Sequence, residues 1–285
     1  MTRSPDAGPR HALDCELTPQ LPDARVRAAM AAFYKTSEGY AQQQSTHTRA
    51  YFGRLLTLLD AVLTTPNPHV LEIGAGAAGA MRDFLLRRPN ARAVAIEMSA
   101  ISLRGTGVES LALRGVAGDA LHLPFKDRSF DAVFAFEVIE HLPDVAQALM
   151  EALRVVKRPG HIIIGLPNHA SLWTPLEDRL RSRNRLAFGV ARGRGTWRWW
   201  KRNAVLAWKK RMSSHPQFLY REPILSASGG DADAVYYAAP VDLLRFFRRH
   251  GATLVTTSAH LRFGPVGGLL PVELQGSTVM AWRVY

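Results

Sequence analysis

The sequence has one cysteine, Cys15, and no apolar run long enough to cross a membrane. A lone cysteine cannot close an internal disulfide, and Cys15 has no partners at metal-ligand spacing, which argues against a redox or zinc role. Residues 1–10 lack the apolar region of a secretory signal. The 285 residues, 47% of them hydrophobic, can bury a substantial core. These features predict a globular cytoplasmic protein.

Acidic residues are absent from one long segment. Between Arg179 and Arg221 the sequence has 13 Lys and Arg residues and no Asp or Glu. Because the formal net charge of the whole chain is +12, the remainder is close to neutral. The positive charge therefore belongs to one segment, and that segment is where an anionic partner is expected.

A glycine-rich turn is the first motif that indicates a ligand. Residues 69–82 read HVLEIGAGAAGAMR, a pattern typical of strand, turn and helix. Gly74 and Gly76 allow backbone angles and a close ligand approach that a Cβ would prevent, and Gly79 lets the helix pack on the strand. The turn predicts a nucleotide-like ligand, although an ordinary turn with incidental glycines has the same pattern.

Four acidic residues fall at or near the carboxyl ends of the predicted strands. Glu72 precedes the first glycine, where its carboxylate would point into a ligand crevice, repel a pyrophosphate and attract an ammonium group. Glu97 ends the second strand, the position of an acid that binds ribose hydroxyls. Asp119 and Glu137 follow the third and fourth strands. Because ligands of such sheets bind at these strand ends, the convergence predicts one binding site.

These segments, together with FDAVFAFEVIEHL at residues 130–142, resemble the class I S-adenosylmethionine-dependent methyltransferases, in the branch that includes many small-molecule and quinone methyltransferases. The resemblance covers residues 69–167 closely and the last fifty residues more loosely. It implies S-adenosyl-L-methionine as the cofactor. One departure is Ala78, where the commonest family pattern has a third glycine.

The resemblance also implies roles for individual residues. Glu72 and the backbone of Gly74, Ala75 and Gly76 would hold the methionine part of the cofactor. Glu97 would take the ribose, Met98 would stack on the adenine, and Asp119 with the amide of Ala120 would read the adenine edge. Glu137 and Tyr40 complete the expected cofactor contacts. Tyr40, Arg49 and Tyr51 belong to elements that cover the site in related enzymes, but the tyrosines could equally serve only packing.

The alternation of strands and helices from Pro68 to Pro167 predicts an α/β, Rossmann-like, doubly wound, mostly parallel sheet. The resemblance adds an antiparallel last strand, and the basic segment is a helical insertion. The expected divisions are a flexible tail at 1–22, an N-terminal helical lid at 23–66, a cofactor-binding core at 67–167, a basic Trp-rich substrate or cap insertion at 168–238, and the completion of the core sheet at 239–285.

Methyl transfer from a sulfonium is an in-line displacement for which positioning is the main requirement. A phenol or carbon acid as acceptor would also need a general base. His141 and Glu140, where the fourth strand opens toward the acceptor, are the catalytic candidates. His141 titrates near neutral pH, as a base should, but it could instead pin its loop to the backbone. No metal ligands are expected.

The expected function is methyl transfer to O, C or N of a small-molecule or lipid-like acceptor. One alternative is a nucleic-acid methyltransferase, although there is no NPPY-like tetrad. Another is a cofactor-binding partner subunit without catalysis. A nicotinamide oxidoreductase would share the glycine turn and Glu97, but it does not predict Glu72 or Asp119, and no Tyr-Lys hydride-site pair is apparent.

Residues 196–212, TWRWWKRNAVLAWKKRM, predict a helix at an anionic membrane surface or over an anionic lipid-like substrate, peripheral to the cytoplasmic face of the inner membrane. The helical pattern predicts an apolar arc opposite a basic arc made of Arg198, Arg202, Lys209 and Lys210. The apolar arc consists of Trp197, Trp200, Ala204, Ala207, Trp208 and Met212. One alternative is that the tryptophans pack on the domain, and another is that the charges bind nucleic acid.

Overall fold

The computed structural model describes residues 17–36, 49–103, 112–171, 194–225, 233–258 and 278–285. These ranges contain a sheet with helices on both faces. The strands are β1 His69–Ile73, β2 Arg92–Glu97, β3 Leu113–Ala117, β4 Phe130–Phe136, β5 Val156–Leu166, β6 Ala252–Thr257 and β7 Thr278–Val284. The helices are α1 Ala24–Thr36, α2 Arg49–Val62, α3 Gly79–Arg87, α4 Ala100–Leu103, α5 Val145–Val155, α6 Arg194–Met212 and α7 Pro240–Arg249, with a 3₁₀ turn at Ile139–His141.

The sheet has seven strands in the order β3-β2-β1-β4-β5-β7-β6. The pairs among β1 to β5 are parallel, and β7 runs antiparallel between β5 and β6. This confirms the predicted fold class, including the antiparallel last strand. Strand order reverses at β1, which lies between β2 and β4, and in such sheets the ligand crevice forms at the carboxyl ends beside that reversal.

Alternate residues of each central strand enter two separate cores. On β1, Leu71 and Ile73 join the core that α1, α5 and α7 cover, whereas Val70 joins the core that α2 and α3 cover. Both faces of the sheet are therefore buried, which explains the nearly continuous apolar runs of β1 and β4.

The turn after β1 ends at Ala78. Helix α3 begins at the next residue, Gly79, because Ala78 adopts a left-handed backbone with φ of 53°. The non-glycine residue at 78 is therefore accommodated in a conformation that glycine adopts more readily. Its side chain is buried in the core beside α3.

The end of the predicted tail is held against the basic insertion. Thr18 and Tyr220 exchange backbone hydrogen bonds of 3.0 and 2.7 Å, and Tyr220 also bridges to Tyr236. The end of the predicted tail is therefore attached to the insertion at Thr18. Within the described residues, no helix combines the length and apolarity needed to cross a membrane.

A buried charge pair fastens α6 to α7. The Lys210 ammonium donates to Asp242 and to the carbonyl of Gln217, and both charged side chains are almost completely buried. Tyr236 and the amide of Gln217 donate to the same carboxylate at 2.9 and 2.8 Å. The prediction that Lys210 belongs to the exposed basic arc is therefore wrong, because Asp242 compensates its charge inside the protein.

Substitution of Lys210 tests how much this attachment contributes to stability. Lys210→Met leaves Asp242 buried without its cation, so we expect the free energy of unfolding to fall by about 3 to 5 kcal/mol. Lys209→Met, at an exposed neighbouring position, should change it by less than about 0.5 kcal/mol. Urea unfolding followed by circular dichroism measures both, and equal stabilities would contradict a structural role for the pair.

Candidate functional site

A cavity of about 360 Å³ lies at the carboxyl ends of β1 to β4, beside the reversal of strand order. This volume is within the range of small-ligand sites. Helix α1 contributes Arg27, Met30 and Tyr34 to one wall. Of the predicted cofactor residues, six line the cavity: Gly74, Glu97, Met98, Asp119, Ala120 and Glu137.

The glycine turn is tied to the end of β2 through its amide groups. The amides of Gly74 and Ala75 donate to the carbonyl of Ile96 at 2.8 and 3.1 Å. The amide of Gly76 donates to Glu97 Oε2 at 2.9 Å. Gly74 has a φ of +67°, and a Cβ there would lie 2.5 Å from the Val138 side chain. The turn therefore requires glycine at 74, as the sequence predicted, and it faces the cavity with its amides already engaged.

Glu97 and Asp119 present carboxylates to the cavity. Glu97 is 8% exposed, and its Oε1 accepts from the amide of Ser99 at 3.0 Å. Asp119 Oδ1 accepts from the amide of Leu121 at 2.9 Å. Because each carboxylate oxygen has two lone pairs, both groups keep acceptor capacity for ligand hydroxyl or amino groups.

Glu72 lies beside the cavity and is not part of its lining. It is 4% exposed, and its carboxylate accepts from the amide of Met81 in the first turn of α3. Oε2 has no hydrogen-bond partner among the described residues. Burial, reinforced by the charge of Glu97 and opposed by the Met81 amide, raises the pKa of Glu72 to about 8. The carboxyl is therefore mostly protonated at neutral pH.

Tyr34 and His141 line the cavity, and Asp233 contacts both of them. Asp233 Oδ2 is 3.2 Å from His141 Nδ1 and accepts from the Tyr34 hydroxyl at 3.0 Å. Burial by itself raises the pKa of Asp233, but the hydrogen bonds from His141 and Tyr34 and the attraction to His141 outweigh it, so the pKa is lowered. Asp233 therefore stays ionised and favours a proton on Nδ1 of His141.

Asp233 and Tyr34 were not predicted as site residues. Tyr34 and Asp233 are 199 positions apart in the chain, in α1 and in the basic insertion. The local sequence around Asp233 shows only acidic residues close to two tyrosines, a pattern with no specific chemical meaning. Their meeting depends on the path of the insertion, which returns to the 3₁₀ turn that carries His141.

Glu140 is fully buried and is not part of the cavity lining. Its backbone carbonyl accepts from the amides of Val235 and Tyr236 at 2.8 and 2.9 Å, which anchors the returning insertion. Its Oε1 lies 3.9 Å from His141 Nε2. Glu140 is thus placed next to His141 and away from a ligand, which does not fit direct catalysis.

The remaining predicted positions are Glu137, two residues of the glycine turn, and three residues before β1. Glu137 lines the cavity with a φ of 54°, and its amide donates to the carbonyl of Gly165 at 2.9 Å. Ala75 and Gly76 shape the turn without lining the cavity. Tyr40 and the side chains of Arg49 and Tyr51 lie outside the described residues. In the described ranges, no group of three or more His, Cys, Asp or Glu side chains is arranged to hold a metal ion.

Residues 71–164 match the family model described as a methyltransferase domain. This range begins within β1, continues through β4 into β5, and includes the glycine turn, Glu97, Asp119 and His141. The match is a similarity to a methyltransferase domain over about a third of the chain. The family likeness covers the sheet that builds the cavity and leaves out α1 and the insertion, which contribute Tyr34 and Asp233.

Curated relatives of this chain match over part of their length. The demethylmenaquinone methyltransferase of Thermobifida fusca is 39% identical over 100 residues, which are 33% of this chain and 42% of that protein. The probable tocopherol O-methyltransferase of Oryza sativa subsp. japonica is 31% identical over 163 residues, 52% of this chain and 43% of that protein. The chain thus spans less than half the length of these relatives.

Solved structures share the fold over nearly the whole chain. The 1,6-didemethyltoxoflavin-N1-methyltransferase of Burkholderia thailandensis, solved with 1,6-didemethyltoxoflavin and S-adenosylhomocysteine, has a TM-score of 0.56, 15% identity and 94% coverage of both chains. A cyclase, SpnF, has a TM-score of 0.50 with 13% identity. Because a cyclase shares this fold, the chemistry has to be argued from the site.

The geometry of the turn distinguishes S-adenosylmethionine from a dinucleotide. A pyrophosphate needs free N–H groups at the turn and at the helix start. Here the amides of Gly74, Ala75 and Gly76 donate to β2, and the Met81 amide donates to Glu72. Glu97 and Asp119 supply acidic acceptors suited to a ribose and an adenine, so the residues of this site fit S-adenosylmethionine.

The raised pKa of Glu72 predicts a pH-dependent effect on stability. The folded-state pKa is above the ordinary value, so the stability of the wild type is complete below about pH 4.5 and is lost as the pH rises through about 8. Glu72→Gln cannot ionise and avoids this loss. Relative to the wild type, we expect the variant to gain about 3 to 4 kcal/mol in free energy of unfolding between pH 5 and pH 9.

Urea unfolding at several pH values measures this difference, with the exposed Glu222→Gln as the control that should show little pH dependence. A Glu72→Gln effect that is constant with pH would mean that the carboxylate remains solvated.

Proposed function

We propose that this chain transfers a methyl group from S-adenosyl-L-methionine to an oxygen, nitrogen or carbon atom of a small-molecule or lipid-like acceptor. The observation that carries the proposal is one cavity lined by Glu97 and Asp119 and also by His141, whose ring pairs with Asp233. The names of the relatives, which include demethylmenaquinone and tocopherol methyltransferases, support a lipid-like acceptor.

The cofactor end of the cavity is formed by residues from three strand ends. Glu97 would accept hydrogen bonds from the ribose hydroxyls, and Met98 would cover a face of the adenine ring. Asp119, with the amide of Ala120, would bind the adenine edge. The carbonyls of the glycine turn would bind the ammonium group of the methionine part. When bound, the cofactor supplies an electrophilic methyl group on a positively charged sulfur.

Much of the lining is apolar and suits the acceptor. It includes Met30 and Ala31 of α1 together with Leu142 and Pro143, which follow the 3₁₀ turn. Arg27 contributes a cation to the same lining. Such a wall binds a ring or an acyl chain and excludes water, while Arg27 can pair with an anionic oxygen. A small cavity covered by α1 favours a small acceptor over a nucleotide within a nucleic acid.

His141 is the residue we assign as the general base. Asp233 holds Nδ1, so the other ring nitrogen, Nε2, would accept the proton from the acceptor as its new bond to the methyl carbon forms. The imidazolium that results is favoured by Asp233 at 3.2 Å and Glu140 at 3.9 Å. In this proposal Asp233 and Glu140 are positioning residues, because they act through the ring.

Calorimetric titration tests the cofactor assignment. S-adenosylhomocysteine should bind saturably and NAD should not. Glu97→Ala should weaken S-adenosylhomocysteine binding by about 1 to 3 kcal/mol because it removes charged hydrogen bonds to the ligand. Asp127→Ala, an exposed acid on the surface, serves as the matched control. Saturable NAD binding without a response to S-adenosylhomocysteine would overturn the assignment.

Activity measurements test the role of His141. With radiolabelled cofactor and a lipid extract as the acceptor source, His141→Ala should lower the rate by about 10² to 10⁴-fold, the usual contribution of a general base. Asp233→Asn should lower the rate less and shift its pH profile, because the ring loses its ionised partner. His122→Ala, at an exposed histidine, is the control.

Both variants should keep the wild-type affinity for S-adenosylhomocysteine, which shows that the site remains folded. If His141→Ala retains full activity across the pH range, the ring does not act as a base and positioning alone accounts for the reaction.

A further inference from the structure

Helix α6 exposes large apolar side chains to solvent. The exposed fractions are 69% for Met212, 62% for Trp208, 46% for Val205 and 41% for Trp200. Lys201 and Lys209 are exposed on the same helix. We refer to these six residues as the tryptophan face. Four large apolar residues exposed on one helix are uncommon in a soluble protein and indicate an interaction site.

The tryptophan face occupies one side of the helix. At about 100° per residue, its six members fall within half of the helical circumference, from Trp200 to Lys209. Asn203, Ala207 and Lys210 fall on the opposite side and are buried. The apolar and basic residues therefore share the exposed side, which corrects the prediction of opposing arcs. Trp200 and Trp208 keep 41% and 62% of their surface exposed, so neither indole is fully buried against the domain.

We infer that the tryptophan face binds the headgroup region of an anionic membrane. Indole rings partition to the boundary between headgroups and acyl chains, and lysines beside them reach anionic headgroups. The absence of Asp and Glu between Arg179 and Arg221 removes local repulsion of such a surface. A nucleic acid would use the cations and the rings, but exposed Val205 and Met212 would gain nothing from phosphates. The exposed apolar side chains therefore favour a lipid surface over a nucleic acid as the partner.

The position of α6 relates this surface to the cavity. Asn203 Nδ2 donates to the carbonyl of His169 at 2.8 Å, and His169 follows closely after β5. Helix α6 is therefore attached at the carboxyl edge of the sheet, the edge where the cavity opens. A membrane held there would lie on the side from which a lipid-like acceptor enters. This last step rests on the proposed function, whereas membrane binding itself does not.

Sedimentation of the full chain with vesicles tests the inference. At low salt, binding should be strong to equimolar phosphatidylcholine and phosphatidylglycerol, weak to phosphatidylcholine alone, and reduced by added salt. Trp200→Ala/Trp208→Ala should reduce the partition coefficient by about tenfold or more, because indole area no longer leaves water. Lys201→Gln/Lys209→Gln should reduce it by about fivefold for each lost charge.

Matched double variants control for charge and for apolar area. Arg92→Gln/Arg114→Gln removes two exposed cations at β2 and β3, far from α6 in the strand order. Leu86→Ala/Met150→Ala removes two apolar side chains that are 55% and 44% exposed. Both should bind vesicles as the wild type does.

Three outcomes would overturn the inference. The protein could remain in the supernatant with anionic vesicles at low salt. The control variants could lose as much binding as the α6 variants. Salt-sensitive binding could also persist unchanged in Trp200→Ala/Trp208→Ala, which would assign the charges to a general polyanion such as nucleic acid. Because none of these readouts needs methyl transfer or cofactor, a failed cofactor titration and a failed vesicle assay remain distinguishable.

Discussion

The carboxylate of Glu97 is the interaction on which the site depends. Its two oxygens accept from the amides of Gly76 and Ser99, so one buried side chain at the end of β2 fixes both the glycine turn after β1 and its own following loop. The carbonyl of Ile96 binds two further amides of the same turn. Because these amides already donate to β2, they are not available to bind a phosphate.

The basic insertion completes the other half of the site. The end of the insertion is held at the Glu140 carbonyl by two backbone hydrogen bonds. Helix α6 of the insertion is held against α7 by the buried pair of Lys210 and Asp242. These contacts bring Asp233 to His141, where an ionised partner orients the ring. In the function that we propose, stability and reactivity are coupled in this region, because the segment that supplies the partner of His141 also carries a desolvated charge pair. Helix α6 extends from the same attachment and presents the tryptophan face outward.

In the function that we propose, the apolar lining with one arginine, Arg27, suits an acceptor that is largely hydrocarbon and carries one anionic or polar group. The shared fold of a 1,6-didemethyltoxoflavin methyltransferase and a cyclase shows that the sheet alone does not specify such an acceptor. Under this proposal the specificity comes from α1 and from the insertion, which lie outside the matched residues 71–164, together with the loop after β4.

The sequence by itself determined the sheet, the glycine turn and the acids that face the cavity. These features depend on local periodicity, on glycine at a positive φ and on the rule that parallel strands meet at one edge, so short stretches of chain specify them. Only the tertiary structure decided the partner of His141, because Asp233 lies in a distant segment whose path depends on packing. It also decided which side of α6 is buried. The helical pattern predicted that Lys210 belongs to an exposed basic arc, and the burial of Lys210 became favourable only because Asp242, from another helix, neutralises its charge.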